Sequence, residues 1–361
     1  MSGLKEKILR LIRAQGPLPL AQYMQMALLD PEHGYYMKRD PLGRDFVTAP
    51  EVSQMFGELI GLFFAQAWED RGRPQRFHFV ELGPGRGTLM ADMLRAGGKV
   101  RPDFARAADV TLIEASPALR DVQARALAGR RVAWAAALGE LAEDAPLFLV
   151  ANEFFDALPV RQFVTTAGKG HEINWHERMV AERDGALVFA LAPDPVPKAL
   201  ALQAMPAAPL GAVFEIQQSG PAIVSDIAVR IVSRGGAALV IDYGHAAGFG
   251  DTFQAVKAHA FADPLENPGE ADLTVHVDFA ALAEAAREEG AQVWGPAAQG
   301  EFLDVLGIRL RAERLKRAQP EQAVQIDADI DRLTNPAHMG TLFKVLAFAA
   351  PHTPPLPGFV C

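Results

Sequence analysis

The chain has 361 residues, half of them hydrophobic and 22% charged, enough for one large domain with elaborations or for two domains, and globular rather than disordered in profile. A formal charge of −9 and a pI near 5.5 argue against a general nucleic-acid binder, because neutralising phosphates takes basic clusters. The only cysteine is Cys361, so no disulfide framework or cysteine zinc site can form within one chain, and a reducing compartment fits best.

No apolar run reaches the roughly 18 residues of a membrane helix. The opening, MSGLKEKILRLIRAQGPLPL, sets Leu4, Ile8, Leu11 and Ile12 at helical spacing with lysine and arginine between them. A transit peptide shares that look, but Glu6 is unusual in one, and the apolar stripe runs on into AQYMQMALL. A folded amphipathic helix interrupted at Gly16-Pro17 is therefore expected, in a mature cytoplasmic protein. Residues 30–53, rich in turn residues and polar-aromatic pairs, predict an ordered loop, and QMFGELIGLFFAQAWED (54–70) a long helix with a broad apolar face.

From residue 77 the pattern changes. Short runs that are apolar throughout, 77–82, 109–114, 131–136, 146–151 and 237–242, read as parallel strands covered on both faces. Helical stretches such as 88–95 and 117–128 lie between several of them, which gives βαβ units and a doubly wound, mostly parallel sheet. Residues 160–192 alternate polar and apolar side chains around glycine turns and predict an antiparallel insertion. A mixed stretch with a helix near 220–233 follows, then a long irregular segment, 244–276, and a helix over 277–289. AQVWG and TLFKVLAFA are the last apolar runs. The expected division is a helical N-terminal cover over 1–72, a core from 73–159 and 235–350, an insertion or substrate region over 160–234 and a tail over 351–361.

Glu81-Leu82-Gly83-Pro84-Gly85-Arg86-Gly87 sits between a predicted strand and a predicted helix. Glycines there let the main chain turn tightly and let a ligand approach without meeting a Cβ. A dinucleotide site calls for G-x-G-x-x-G, but Thr88 occupies the third position and the glycine has moved one residue earlier. A P-loop would end in Gly-Lys-Ser/Thr, which is absent. Glu81, at the strand's carboxyl end, would repel a phosphate and welcome a cationic sulfonium with an amino group, the charges of S-adenosyl-L-methionine. Glu114 ends the second strand, where a carboxylate can accept both ribose hydroxyls. It stands roughly thirty residues past the glycines rather than the usual twenty or so, and the excess reads as a loop, GGKVRPDFARAAD.

The fourth strand runs into NEFFDALPV, placing Asn152, Glu153 and Asp156 where open α/β sheets gather functional residues. A polar helix cap before core phenylalanines accounts for Asn152 or Asp156 alone, not for three polar groups in an apolar stretch. The Asn/Asp-Pro-Pro-aromatic motif of amide and adenine methyltransferases is missing. A guanidinium, with delocalised lone pairs, needs acids that bind it as a fork and draw its charge to one side, a role open to Glu153 and Asp156.

Thr48, Glu51, Ser53 and Gln54 read equally as a loop over the cofactor or as a capping box with Thr48 at the helix start. His245 closes the fifth strand and either removes a proton or hydrogen-bonds a loop, the commoner role of a lone histidine. HEINWH spaces His171 and His176 five apart, one too many for a zinc helix, and alternates like a strand. Residues 250–279 are long for a connection and suggest a lid or substrate wall.

GYYM, DFVTAPEVSQMFGELIG, ELGPGRGTLMADMLR, ANEFFDALPVRQF, IDYGH, GDTFQAVKAH, ADLTVHVDF and MGTLFKVLAF together resemble the MidA-type methyltransferases, the mitochondrial complex I assembly factor of eukaryotes and its bacterial relatives. The resemblance extends from the first helix to about residue 348. It implies a class I S-adenosylmethionine-dependent methyltransferase, Rossmann-like with a seven-stranded sheet. For the mitochondrial member it implies symmetric dimethylation of an arginine in the complex I subunit beside the quinone site. Carried over by motif, Gly83, Gly85 and Gly87 form the cofactor loop, Glu114 the ribose acid, and Asn152–Asp156 the segment by the reacting group. Methylation of a small molecule or another side chain, and an assembly chaperone that binds the cofactor without turnover, remain alternatives.

Overall fold

The computed structural model describes residues 3–38, 48–170, 172–200, 205, 207–246, 248 and 250–359. The chain divides into two units, one of residues 1–46, 157–220 and 247–276 and one of residues 47–156, 221–246 and 277–361.

The second unit is built on β1 (Phe77–Leu82), β2 (Ala108–Ile113), β3 (Val132–Ala135), β4 (Leu147–Asn152), β5 (Gly236–His245), β6 (Gln292–Ala298) and β7 (Phe343–Ala349). Their order across the sheet is β6-β7-β5-β4-β1-β2-β3, with β7 antiparallel to both neighbours and the other pairs parallel. A two-residue strand, Val277–Asp278, lies parallel against the end of β5. This is the expected class I methyltransferase sheet. Every residue of β1 and β4 is buried, which is why these strands read as unbroken apolar runs. Strand order reverses between β1 and β4, so the open crevice of such a sheet lies beyond Leu82 and Asn152.

One face of the sheet carries Phe77, Phe79, Phe148, Val150, Leu239 and Ile241 against helices Gln54–Asp70 and Thr88–Val100. The two helices approach so closely that a Cβ on Gly61 would lie 2.5 Å from the Met93 carbonyl oxygen. The helix expected to end near residue 95 runs through Gly97 and Gly98 to Val100. Gly97 serves packing rather than termination, since a Cβ there would meet the Phe104 ring at 2.9 Å. Phe104 belongs to a further short helix, Pro102–Ala107, inside the segment expected to be a loop.

The first unit holds the antiparallel insertion, with strands Arg161–Ala167, Ile173–Arg183, Ala186–Leu191 and Val213–Ile216. Helices Gly3–Gln15 and Leu20–Leu29 flank the predicted break at Gly16-Pro17. Between them Leu18 and Pro19 pair with Val180 and Met179 of the insertion. Leu4, Ile8, Tyr23 and Met24 share a core with Val160, Val180 and Leu187. The cover expected over 1–72 is thus divided, its first part folding with the insertion. The segment expected to be irregular contains a small antiparallel sheet, Gln254–Lys257, Ala260–Ala262 and Asp272–Thr274. His176 lies in a strand with its Nδ1 2.8 Å from the Ala192 carbonyl oxygen, and His171 falls outside the described residues. Among the described residues no helix is long and apolar enough to cross a membrane.

Candidate cofactor and acceptor site

Beyond β1 the main chain passes through Gly83, Gly85 and Gly87 at φ +60°, +51° and +81°. A side chain in that left-handed region costs about 1–2 kcal/mol. At Gly83 it would also set a Cβ 2.9 Å from the Phe154 ring. Gly83→Ala is therefore expected to weaken S-adenosylhomocysteine binding about tenfold or more, read by calorimetry, and unchanged affinity would remove this turn from the cofactor site.

Gly87 stands at the start of helix Thr88–Val100 and has no side chain with which to cap it. Glu81, 3% exposed, supplies the missing acceptor by taking the Met90 backbone N–H. Burial, only partly opposed by that bond, pushes its carboxyl up to about 8. Its Oε2 is buried and has no partner among the described residues. Glu81 is thus a buried acid with one oxygen committed to the helix and the other uncommitted.

Glu114 follows β2 and accepts the Ser116 N–H at 2.7 Å and Gln123 Nε2–H at 3.1 Å. Arg120 donates to the Glu114 backbone oxygen at 2.8 Å. Burial raises the Glu114 carboxyl, against the pull of these donors. Gln123 also donates to the Gly85 carbonyl at 2.8 Å and accepts from Trp134 Nε1–H at 2.8 Å, so it joins Glu114 to the glycine loop. The sequence carries no signal for Gln123, one polar residue among several in PALRDVQARA.

Past β4 no helix begins, so Asn152 and Asp156 cap nothing. Glu153 adopts φ +52°, uncommon for a residue with a side chain. Its N–H donates to the Ile241 carbonyl at 2.9 Å. The next three N–H groups, of Phe154, Phe155 and Asp156, converge on Asp242 Oδ2 at 3.1, 2.9 and 3.2 Å, while the Tyr243 N–H reaches Oδ1 at 2.9 Å. The segment is folded around a wholly buried carboxylate. From the sequence, Asp242 is expected at the end of the fifth strand, bordering the same crevice, but no role follows for it there. Burial, then the charges of Asp156 and Glu153, hold the Asp242 carboxyl well above its ordinary value. Glu153 Oε1 accepts Asn152 Nδ2–H at 3.1 Å and the Ala49 N–H at 3.0 Å. Its carboxyl is pushed up to about 8 by burial first, with Asp156 adding to the shift. Asn152 Oδ1 is buried and lacks a partner among the described residues.

The Ala49 bond brings in the short helix Ala49–Val52. Thr48 precedes it without capping it, and Glu51 does not reach back to Thr48. Instead Glu51 accepts Thr88 Oγ1–H at 2.6 Å and faces Arg86 at 3.8 Å, while Ser53 caps the following helix. The capping-box alternative therefore fails. Residues 48–53 bridge Glu153 and the start of the glycine-loop helix. Residues 45–47 of the same motif lie outside the described residues. His245 ends β5 in register with Asp278.

Because Glu81 and Glu153 hold protons that unfolded glutamates release, ionising them in place costs stability. Their contribution is full below the ordinary carboxyl range and is lost as pH rises through about 8. The ligand-free protein should melt at lower temperature at about pH 9 than at about pH 6, with Glu81→Gln flattening the decline. A melting temperature that rises across this interval would contradict the burial of both acids.

Residues 59–297, a span holding the glycine loop, Glu114, Asn152–Asp156 and Asp242, match the model of a family of S-adenosyl-L-methionine-dependent methyltransferases. The Drosophila melanogaster protein arginine methyltransferase NDUFAF7 homolog, mitochondrial, is 37% identical across 93% of this chain and 82% of its own. Homo sapiens protein arginine methyltransferase NDUFAF7, mitochondrial, is 35% identical across 94% and 82%. A crystal structure from Burkholderia thailandensis, bound to S-adenosyl-homocysteine, superposes with a TM-score of 0.84 at 29% identity, covering 99% of this chain and 94% of that one.

Proposed function

The chain belongs to this family of S-adenosyl-L-methionine-dependent methyltransferases, and from that membership and the acid cluster we propose that it methylates the guanidinium of an arginine in a protein. The observation that carries the acceptor class is the pair Glu153 and Asp156, held on one segment wrapped around Asp242. The names of the relatives support the same class.

The residues present fit the cofactor. The bare main chain at Gly83, Gly85 and Gly87 leaves room for it, Glu114 would take the ribose hydroxyls, Asn152 Oδ1 is a buried acceptor awaiting a donor, and Glu81, protonated when buried alone, would ionise beside a positive charge. Thr48, the first residue of the bridge formed by residues 48–53, completes the proposed set. S-adenosylmethionine, when bound, supplies an electrophilic methyl group on a good leaving group, so the protein's share of the work is positioning.

Glu153 and Asp156 grip the guanidinium and concentrate its positive charge on their side, leaving the lone pair of one nitrogen free for attack. An arriving cation favours the ionised form of Glu153, which can then take the proton that the methylated nitrogen sheds. His245 is the second candidate for that proton. The resemblance to the complex I assembly factor extends the proposal to a subunit of NADH-quinone oxidoreductase during assembly, and the proposed compartment is the cytoplasm of a bacterium.

Labelled S-adenosylmethionine and a lysate from cells lacking the protein test this directly. Mass spectrometry should find the label on an arginine of one polypeptide. Label on a small molecule or on another side chain would refute the acceptor class.

A further inference from the structure

We propose that Gln123 is a positioning residue for cofactor recognition, setting the Glu114 carboxylate and the glycine loop in fixed relation to one another. The proposal rests on Glu114 being the ribose acid and is independent of the acceptor.

The orientation of the Gln123 amide follows from the chemistry of its neighbours. The Trp134 indole N–H can only donate, so the amide oxygen must turn toward it, at 2.8 Å. That leaves the amide nitrogen facing two acceptors, the Gly85 carbonyl at 2.8 Å and Glu114 Oε2 at 3.1 Å. The side chain is 0% exposed, so water does not compete for these bonds. A Cβ on Gly87 would lie 3.4 Å from Gln123 Cα, so the helix bearing Gln123 also abuts the loop's last glycine.

On Glu114, Oε1 takes the Ser116 N–H and Oε2 the Gln123 amide, and the Ala115 N–H also bonds the carboxylate. The plane of the carboxylate is thereby set, and its remaining lone pairs stay available for a pair of hydroxyls. Ser116 Oγ, in a residue 1% exposed, has no partner among the described residues. A buried polar atom left unanswered beside an oriented carboxylate is what a ligand subsite leaves when only protein atoms are counted.

The experiment compares S-adenosylhomocysteine affinity in wild type, Glu114→Ala, Gln123→Leu, Gln123→Glu, Trp134→Phe and the Glu114→Ala/Gln123→Leu double variant, with melting temperature alongside. Gln123→Leu should lose about tenfold in affinity, and Gln123→Glu more, since it sets a carboxylate against Glu114 and a carbonyl. Trp134→Phe removes the N–H that orients the amide along with part of the ring, and should lose a few-fold in affinity with a small drop in melting temperature. With saturating cofactor the turnover rate should stay near wild type, placing the defect in KM.

In the double variant the Gln123→Leu penalty should largely vanish, because the carboxylate it orients is gone. Unchanged affinity in Glu114→Ala would refute the ribose-acid reading itself. A normal affinity in Gln123→Leu and Trp134→Phe beside a weakened Glu114→Ala would overturn the positioning role alone, and so would strict additivity in the double variant.

Discussion

Glu153→Gln should lower methyl transfer about a thousandfold while leaving S-adenosylhomocysteine affinity within about threefold. The substitution keeps an oxygen for the Ala49 N–H and the Asn152 amide, so the segment keeps its shape. What it removes is a purely accepting group opposite a purely donating one. A guanidinium has five N–H donors and no acceptor, so the introduced amide N–H faces a donor and the charge-localising fork is lost. Single-turnover transfer to the labelled acceptor reads the rate, and calorimetry reads binding. The same variant separates catalysis from chaperoning, because a non-catalytic assembly role would survive it intact. A wild-type rate would remove Glu153 from the acceptor site.

Asp242→Ala is expected to act on stability as much as on rate. It strips the acceptor from four backbone N–H groups, three of them consecutive, in a buried setting. An unsatisfied buried donor costs about 1–3 kcal/mol, and even with relaxation a loss of about 4 kcal/mol is expected. For a unit of this size that lowers the melting temperature by about 10 °C. Asp242→Asn retains one accepting oxygen and should recover much of the stability. Activity should fall in both variants, because Glu153 and Asp156 are carried by the segment that Asp242 holds. Wild-type melting of Asp242→Ala would show that the segment keeps its shape without this anchor.

What could be read in advance follows from how far apart the cooperating residues lie. Strands buried on both faces leave a local signature, so 77–82 falls on β1 and 146–151 within a residue of β4. The three glycines mark their own left-handed turn, and Asn152–Asp156 stands out as polar groups in an apolar stretch. The N-terminal helices were legible as helices but not as partners of the insertion. Leu18 and Pro19 meet Val180 and Met179 across some 160 residues of chain, and a two-residue ladder has no periodicity to detect. Gln123 was invisible for a different reason, since its three bonds run to residues 85, 114 and 134 and nothing in its own helix sets it apart. Glu81 was foreseen as an acid at the strand end, whereas its bond to the Met90 N–H depends on Gly87 being unable to cap the helix, a compensation between distant positions.

Glu153 sits in a backbone shape that glycine adopts freely and that costs other residues about 1–3 kcal/mol. A chain shaped for durability alone would place glycine at this corner and gain in robustness. With Glu153 as the proposed grip on the acceptor, a carboxylate on the least comfortable peptide of the segment is a sacrifice of sturdiness, and residue 153 becomes a spot where hardening the molecule and preserving that grip pull in opposite directions.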